Sequence, residues 1–159
     1  MRILVAVDGS HDSLTAVREM AHRLWPPQSL IRILYVDEHG AELEPTEAPR
    51  RAPGVPPSFR DVAGHALEKA AASFDAACRC DVSVETAVRS GRAADAILAE
   101  AAAWDADLIV VGSQGKGSLE RILLGSVSAA VTARAGCSVE VVRSRRWDVS
   151  QPHAGRQHP

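Results

Sequence analysis

Residues 107–126, DLIVVGSQGKGSLERILLGS, carry the clearest indication of the architecture. After Asp107 the first residues are continuously apolar and rich in β-branched side chains, which predicts a strand covered on both faces of a parallel sheet. Four glycines then follow between residues 112 and 126, whereas a tight turn needs only one or two. We therefore expect the backbone after this strand to come close to another group.

Strand and helix patterns alternate along the rest of the chain. Apolar or alternating runs predict five strands, at residues 3–7, 30–36, 81–88, 107–111 and 138–143. Apolar residues that recur at three and four positions predict four helices between them, at residues 11–24, 62–77, 93–103 and 126–135. Such alternation is typical of parallel βαβ units with right-handed crossovers. The sequence therefore predicts an α/β fold, an open five-stranded parallel sheet with helices on both faces.

Length, charge and cysteine content narrow the class of protein. A chain of 159 residues is one domain by default, and a net charge of -2 gives no reason to expect a nucleic-acid partner. The apolar runs are too short to span a membrane, and the start MRILVAVDGS does not resemble a signal peptide. Three cysteines fit neither a disulfide framework nor a four-ligand zinc site, so reduced thiols are expected. We expect a cytoplasmic protein without membrane association.

Two segments depart from the alternating order. Residues 37–58 hold five of the nine prolines and almost no large apolar side chains, so they are either a lid or a tolerated insertion. Residues 144–159 lack periodicity and are expected to form a flexible tail. The domain itself then comprises residues 1–143.

The loops that follow the first and fourth strands are the candidate ligand site. Gly112, Gly115 and Gly125 lack Cβ atoms, so they can adopt positive φ and let a ligand approach bare peptide groups. Ser126 marks the start of a helix whose free N–H groups and dipole favour a phosphate, and Lys116 adds a positive charge. The alternative is that Ser126 is only a helix cap and the glycines only form turns.

Neither of the two standard phosphate-binding fingerprints explains this loop. The pattern G-x-x-x-x-G-K-[ST] is not satisfied, and Glu120 occupies the place of the third glycine in G-x-G-x-x-G. At the other end of the helix, Gly136 stands where a glycine commonly ends one.

The stretch VVGSQGKGSLERILLGSVSAAVTARAGCSVEVV, residues 110–142, resembles the carboxy-terminal signature of the universal stress protein family. ATP-binding members of that family carry Gly, two residues, Gly, nine residues, then Gly followed by Ser or Thr. Gly112, Gly115, Gly125 and Ser126 match this spacing. The resemblance extends to ILVAVDGS at residues 3–10, LYV at 34–36 and SGRAADAILAEAAAWDADLIVVGS at 90–113, and so covers nearly all of residues 1–143.

The resemblance implies a Rossmann-like sheet of order 3-2-1-4-5 and a role for each residue of the site. Asp8 would lie near the ribose and adenine, the backbone of Val36 would pair with the adenine edge, and Gly112 would lie against the ribose. The phosphates would be held by Gly115, Gly125, Ser126 and Val127, with Ser128 as a neighbour. From the residues alone, Asp8 can equally be a turn or helix-capping aspartate. Lys116 stands where relatives often have Arg, so the bidentate fork is lost and phosphate affinity is expected to be weaker.

Three functions remain open from the sequence. The resemblance implies a stress-response nucleotide sensor or regulator that binds ATP with Mg²⁺, forms a homodimer through the fifth strand and acts on a regulatory protein partner. The second is an enzyme of the same fold that hydrolyses ATP slowly or transfers its phosphoryl group. The third is an interaction protein without a ligand, against which the intact glycine spacing argues. No paired carboxylates or His–Asp pair converge on the predicted phosphate site, so we expect negligible turnover.

Overall fold

In the computed structural model of the protein, residues 1–38, 59–77, 82–115 and 124–144 are described, with the backbone alone for 59–63 and 75–77. The strands are β1 (Arg2–Val7), β2 (Ser29–Asp37), β3 (Val82–Ser90), β4 (Leu108–Gly112) and β5 (Ser138–Val142). The helices are α1 (His11–Ala21), α2 (Phe59–Ala77), α3 (Ala93–Ala103) and α4 (Ser126–Arg134). The predicted alternation of strands and helices is confirmed.

The five strands form one parallel sheet in the order β3-β2-β1-β4-β5. The chain builds one half of the sheet outward from β1 to β3, then crosses back and builds the other half from β4 to β5. The strand order therefore reverses between β1 and β4, which are direct neighbours. In open α/β sheets a crevice opens at the carboxyl ends of the strands at this reversal, and ligands bind there.

Two apolar clusters, one on each face, bury the sheet. One cluster joins β1 and β2 to α1 and α2 and includes Met20 and Phe74, both fully buried. The other joins the sheet to α3 and α4 and includes Ile97 and Val131. Both are built mainly from aliphatic side chains, as the low aromatic fraction of 4% requires. The continuous apolar runs of β1 and β4 are thus explained, since both of their faces are covered.

A buried glutamate fixes α3 to the sheet. Glu100 is only 5% exposed, and its carboxylate accepts hydrogen bonds from Arg32 on β2 and Arg89 on β3. The guanidinium of Arg32 also stacks over the ring of Trp104, 4.3 Å from its centroid. A buried carboxylate is stable only when it is paired and hydrogen-bonded in this way.

The predicted end of the first helix is wrong by three residues. The helix ends at Ala21 instead of residue 24, and Leu24, counted as part of the apolar face, is 90% exposed. The indole of Trp25 donates to the carbonyl of Met20 at 2.8 Å and so turns the chain back over the helix end. Pro26 disfavours a helical conformation at Trp25, so the helix cannot continue as far as the proline. The apolar periodicity carries no information on either effect and therefore extends past the true helix end.

The last helix begins at Ser126, as predicted, and ends one residue earlier than predicted, at Arg134. Its N-cap is Gly125, so the alternative that Ser126 is only a helix cap is wrong. At the other end the C-cap Ala135 is extended, with φ -64° and ψ 140°. Within the described segments the glycines with positive φ are Gly9 and Gly91, so Gly136 does not end the helix by a left-handed turn and that prediction is wrong.

Several predictions fall outside the described residues. These are the role of residues 39–58, the flexible tail at 145–159, the position of Lys116 and the state of Cys78 and Cys80. Cys137, which is described, is a free cysteine. Of the helices in the described ranges, none has the length and apolar character that a membrane crossing requires.

Candidate functional site

The loops that follow β1 and β4 meet at the reversal of strand order. The Ser10 hydroxyl, after β1, donates to the Gln114 carbonyl, after β4, at 3.3 Å. Asp8 Oδ2 lies so close to Gly115 that a Cβ atom on that residue would be 2.9 Å from it. The structure thus brings Asp8 and Gly115, two of the predicted site residues, into contact across this junction.

Asp8 is held by a turn of its own loop. Its Oδ1 accepts the backbone N–H of Ser10 at 2.9 Å, and Gly9 between them has φ 79°. The N-cap of α1 is Ser10, whose hydroxyl accepts the N–H of Ser13 at 3.3 Å. Asp8 is therefore a turn aspartate and not a helix cap, and the turn leaves its other carboxylate oxygen directed at Gly115.

Gly112 is required by packing and not by a left-handed backbone. A Cβ atom there would lie 2.8 Å from the amide nitrogen of Ser13 and 2.9 Å from the carbonyl carbon of Asp12. These are backbone atoms in the first turn of α1, which cannot move aside cheaply. The expectation that Gly112, Gly115 and Gly125 use positive φ is wrong, because none of the three does. The three glycines have in common that another atom lies close to the position that a Cβ atom would occupy.

The glycine loop, which we define as residues 113–125 between β4 and α4, is closed at its base by the carbonyl of Ser113. This carbonyl accepts the N–H of Gly125 at 2.7 Å and the hydroxyl of Ser128 at 3.2 Å. A Cβ on Gly125 would lie 3.2 Å from the same oxygen. The ends of the segment 113–125 are thereby fixed against each other. Residues 116–123, with Lys116, lie between these ends and outside the described residues.

The amino terminus of α4 presents backbone donors beside this loop. The first intrahelical bond runs from Ala129 N–H to Gly125 C=O at 2.9 Å, so the amides of Ser126, Val127 and Ser128 have no earlier carbonyl to bond within the helix. No side chain of the described part of the chain caps this end. Ser126 is exposed, whereas the Ser128 hydroxyl is buried and bonded inward. Free amides and the positive end of the helix dipole together suit an anion.

The backbone of Val36 reaches past the end of its neighbouring strand. The carbonyl of Asp37 accepts the N–H of Gly91 at 2.8 Å, so it points towards β3. Consecutive residues of a strand point their carbonyls to opposite sides, and the Val36 carbonyl therefore points towards β1. Pairing of β1 with β2 stops at Val7 and Tyr35. This places the Val36 carbonyl at the carboxyl edge of the sheet, beyond the last paired residue of β1.

Asp12 is a buried acidic residue of this region that the sequence did not single out. It is 9% exposed, and its Oδ2 accepts the hydroxyl of Ser113 at 2.7 Å. Its Oδ1 accepts the N–H of Ser144 at 3.2 Å and also the hydroxyl of Ser144. Burial raises the pKa of the Asp12 carboxyl, but hydrogen bonds from Ser144, Ser113 and Gln114 outweigh burial and hold this pKa below its usual value.

The chemistry of the site is that of an anion receptor with two nearby carboxylates. Its donors are backbone amides and hydroxyls. Asp8 approaches Gly115 of the glycine loop, and Asp12 is bonded to Ser113 and Gln114 at the start of this loop. Among the residues that the structure describes, no three His, Cys, Asp or Glu side chains cluster closely enough to hold a metal ion. The geometry thus suits a phosphate-bearing ligand more than a metal centre of the protein's own.

The fold and the site define a doubly wound α/β domain whose switch point lies beside a helix amino terminus that no described side chain caps. The model of the universal stress protein family matches residues 1–143, so the chain belongs to this family. It is 31% identical over 147 residues to universal stress protein YxiE of Bacillus subtilis, which covers 89% of the chain and 98% of YxiE. It is 33% identical over 153 residues to Rv2624c of Mycobacterium tuberculosis, covering 94% of the chain and 50% of that longer relative.

Solved structures of the family have the same fold. A universal stress protein in complex with cAMP superposes with a TM-score of 0.57 at 26% identity, covering 89% of this chain and 95% of the other. A family member from Arabidopsis thaliana with AMP bound gives a TM-score of 0.63 at 22% identity, covering 92% and 93%. Both proteins carry an adenine nucleotide.

Proposed function

We propose that this protein binds ATP at the reversal between β1 and β4. The observation that carries the proposal is the amino terminus of α4, which no side chain of the described residues caps and which packs against Ser113 and Gln114, next to the contact between Gly115 and Asp8. Backbone amides at a helix start are a common phosphate site, and a switch point is the usual ligand crevice of such a sheet. The adenine nucleotides carried by the two similar structures support the same ligand class.

Each end of the nucleotide has a group to receive it. The Val36 carbonyl at the sheet edge can accept the amino group of adenine, and the Asp8 carboxylate can accept ribose hydroxyls. The amides of Gly115 and Gly125, with the first turn of α4, can donate to the phosphates. Gly112 contributes by letting α1 pack closely beneath the site.

We propose that Mg²⁺ arrives bound to the phosphates of ATP. Mg²⁺ commonly keeps several waters and is bound through one or two carboxylates plus substrate phosphates. This arrangement agrees with the donor set, because Asp8 is a carboxylate beside Gly115, whereas Asp12 is occupied by hydrogen bonds from Ser113, Gln114 and Ser144. Lys116 would add positive charge on the phosphate side.

ATP bound in this way suits a cytoplasmic sensor or regulator in a stress response. We propose that the protein forms a homodimer through β5 and passes the state of the site to a regulatory protein partner, without contacts to nucleic acid or membrane. The edge position of β5 supports the dimer, since a strand at the end of a sheet offers unpaired backbone groups to a second copy.

Slow ATP hydrolysis is the second candidate, and the position of Asp8 favours it. The family resemblance places this carboxylate at the nucleoside, yet its Oδ2 is directed at Gly115 in the loop assigned to the phosphates. A carboxylate there can orient a water for attack on a phosphoryl group. Efficient transfer needs the metal, a cation on the transferred group and a residue that orients the nucleophile to be positioned together, so we expect binding without appreciable turnover.

Calorimetric titration with ATP tests the proposed function. Gly115→Val and Gly125→Val should each abolish measurable binding, because their side chains would displace the Asp8 carboxylate or press on the Ser113 carbonyl. Gly136→Val is the matched control, since no atom lies within 4 Å of its Cβ position, and it should bind ATP as the unmodified protein does. Equal affinity in all four proteins would refute the site.

Phosphate release from the same samples separates sensor from enzyme. We expect a rate far below about 1 s⁻¹, the lower range of ordinary enzymes. A rate at or above that value, lost in Gly125→Val and kept in Gly136→Val, would establish the enzyme instead.

A further inference from the structure

The carboxylate of Asp12 joins three segments that are distant in sequence. It belongs to the first turn of α1, and it receives the Ser113 hydroxyl from the loop after β4. A backbone hydrogen bond from Gln114 reaches it from the same loop. The Ser144 backbone N–H and hydroxyl reach it from the segment after β5. Two of its donors are thus main-chain amides, which fixes backbone positions and not only side chains.

The Asp12 junction, which we define as Asp12, Ser113 and Ser144, holds its three segments in place relative to one another. Its carboxylate is almost fully buried and ionised, and a buried charge of this kind must keep its hydrogen bonds. The groups that face it are the Ser113 hydroxyl and Gln114 backbone after β4, the two donors of Ser144, and the amides at the positive end of α1. If one of these donors is removed, the remaining donors must stabilise the charged carboxylate of Asp12.

The junction extends to the amino terminus of α4 through a single residue. Ser113 gives its hydroxyl to Asp12 and its carbonyl to the N–H of Gly125 and the hydroxyl of Ser128. The position of Ser113 therefore sets where α4 begins. Since Asp12 holds Ser113, the placement of the backbone donors at the start of α4 depends on Asp12.

We propose that Asp12 is a positioning residue that couples the end of β5 to the phosphate side of the nucleotide site. The inference rests on the proposed function, because it concerns how the same site is held. Ser144 lies two residues after the end of β5, so a displacement of this edge strand would shift Asp12, then Ser113 and finally the start of α4. Coupling between sites is reciprocal, so a phosphate-bearing ligand also steadies Ser144.

The test compares ATP with adenosine, which lacks the phosphates. Asp12→Asn replaces one acceptor oxygen by a donor and should weaken ATP binding by about tenfold, the effect of losing about one hydrogen bond to a charged group. Ser113→Ala and Ser144→Ala should each weaken it by a smaller factor. Adenosine affinity should stay within about twofold in all three variants, because a positioning role at α4 acts on the phosphates alone.

Asp105→Asn is the matched control for Asp12→Asn. It removes the same charge at an exposed position after α3, and asparagine tolerates the φ of 50° found there. Both affinities should be unchanged in this variant. If Asp12→Asn does not fold, the two serine variants carry the comparison, since each removes one hydroxyl and keeps the backbone.

A second measurement needs no ligand. The Gly125 amide, bonded to Ser113, should exchange its hydrogen faster in Asp12→Asn and Ser113→Ala than in the unmodified protein, while the amide of Ile109 in β4 exchanges as before. Equal losses of ATP and adenosine affinity, or unchanged ATP affinity with unchanged exchange at Gly125, would overturn the positioning role. If the unmodified protein bound neither ligand, the proposed function would fail first and the coupling with it.

Discussion

Each glycine of the site is needed for a different neighbour. Gly112 makes room for the backbone of α1, Gly115 for the carboxylate of Asp8, and Gly125 for the carbonyl of Ser113. Conformational freedom, the usual reason for glycine, is used instead at Gly9 and Gly91. The glycine pattern therefore reports close approach between segments, and we expect Gly112 to matter for stability and propose that Gly115 and Gly125 matter for binding.

Gly112→Ala should destabilise the fold. The new methyl group would lie 2.8 Å from Ser13 N and 2.9 Å from the Asp12 carbonyl carbon, so α1 must shift away from β4. Overpacking of this kind costs about 1–3 kcal/mol, which urea unfolding measures as a lower midpoint. Gly136→Ala serves as control, because its Cβ position is open and its φ is not positive. If both variants unfold at the same urea concentration, packing does not explain Gly112.

Asp12 shows what a sequence cannot reveal at the level of single residues. An acidic residue in the first turn of a helix is common, because it complements the helix dipole whether or not it is buried. Its partners Ser113 and Ser144 lie 101 and 132 positions away. Nothing in the local pattern distinguishes a bridging aspartate from a solvated one. The glycine spacing, by contrast, is local and therefore visible in the sequence.

The secondary structure was largely predictable, and its errors lie at helix ends. The bounds of α3 and the order of all nine elements match the prediction. At α1 the apolar period runs on to Leu24, but Trp25 and Pro26 end the helix earlier through contacts that periodicity does not encode. At α4 the helix begins at Ser126 as predicted but ends one residue early, at Arg134.

The edge strand β5 should form the dimer interface. Val139 and Val141 are half-buried against the cluster of α3 and α4, and β5 ends the sheet with no further strand beyond it in the described residues. Val141→Lys should shift a dimer towards monomer, because it adds a charge at the paired edge. Light scattering at micromolar concentration measures the mass of each species.

Val88→Lys is the control for the dimer. It places the same side chain on β3, the strand at the opposite edge of the sheet, where Val88 is already exposed. This variant should remain a dimer. A monomeric unmodified protein, or equal dissociation of both variants, would contradict an interface at β5.

The whole molecule is organised around the reversal of its sheet. Two halves of the chain, one ending in β3 and the other in β5, meet where β1 and β4 pair, and the loops that follow these two strands are in contact at the proposed nucleotide site. Family membership over residues 1–143 agrees with this architecture. The meeting of these two loops was predictable because the glycine spacing and the family resemblance that implies the strand order are visible in the sequence, whereas the hydrogen bonds that hold the loops depend on the folded chain.

Amide chemical shifts recorded during an ATP titration test where the nucleotide binds. We expect saturable shifts at the carboxyl edge of the sheet, in Asp8, Val36, Gly115, Gly125 and Val127, and none at Asp107 at the opposite edge. These residues come from both halves of the chain, so a concerted response requires one ligand between β1 and β4. Absence of saturable shifts, or shifts confined to the groove between α1 and β5 around Glu19 and Arg23, would contradict it.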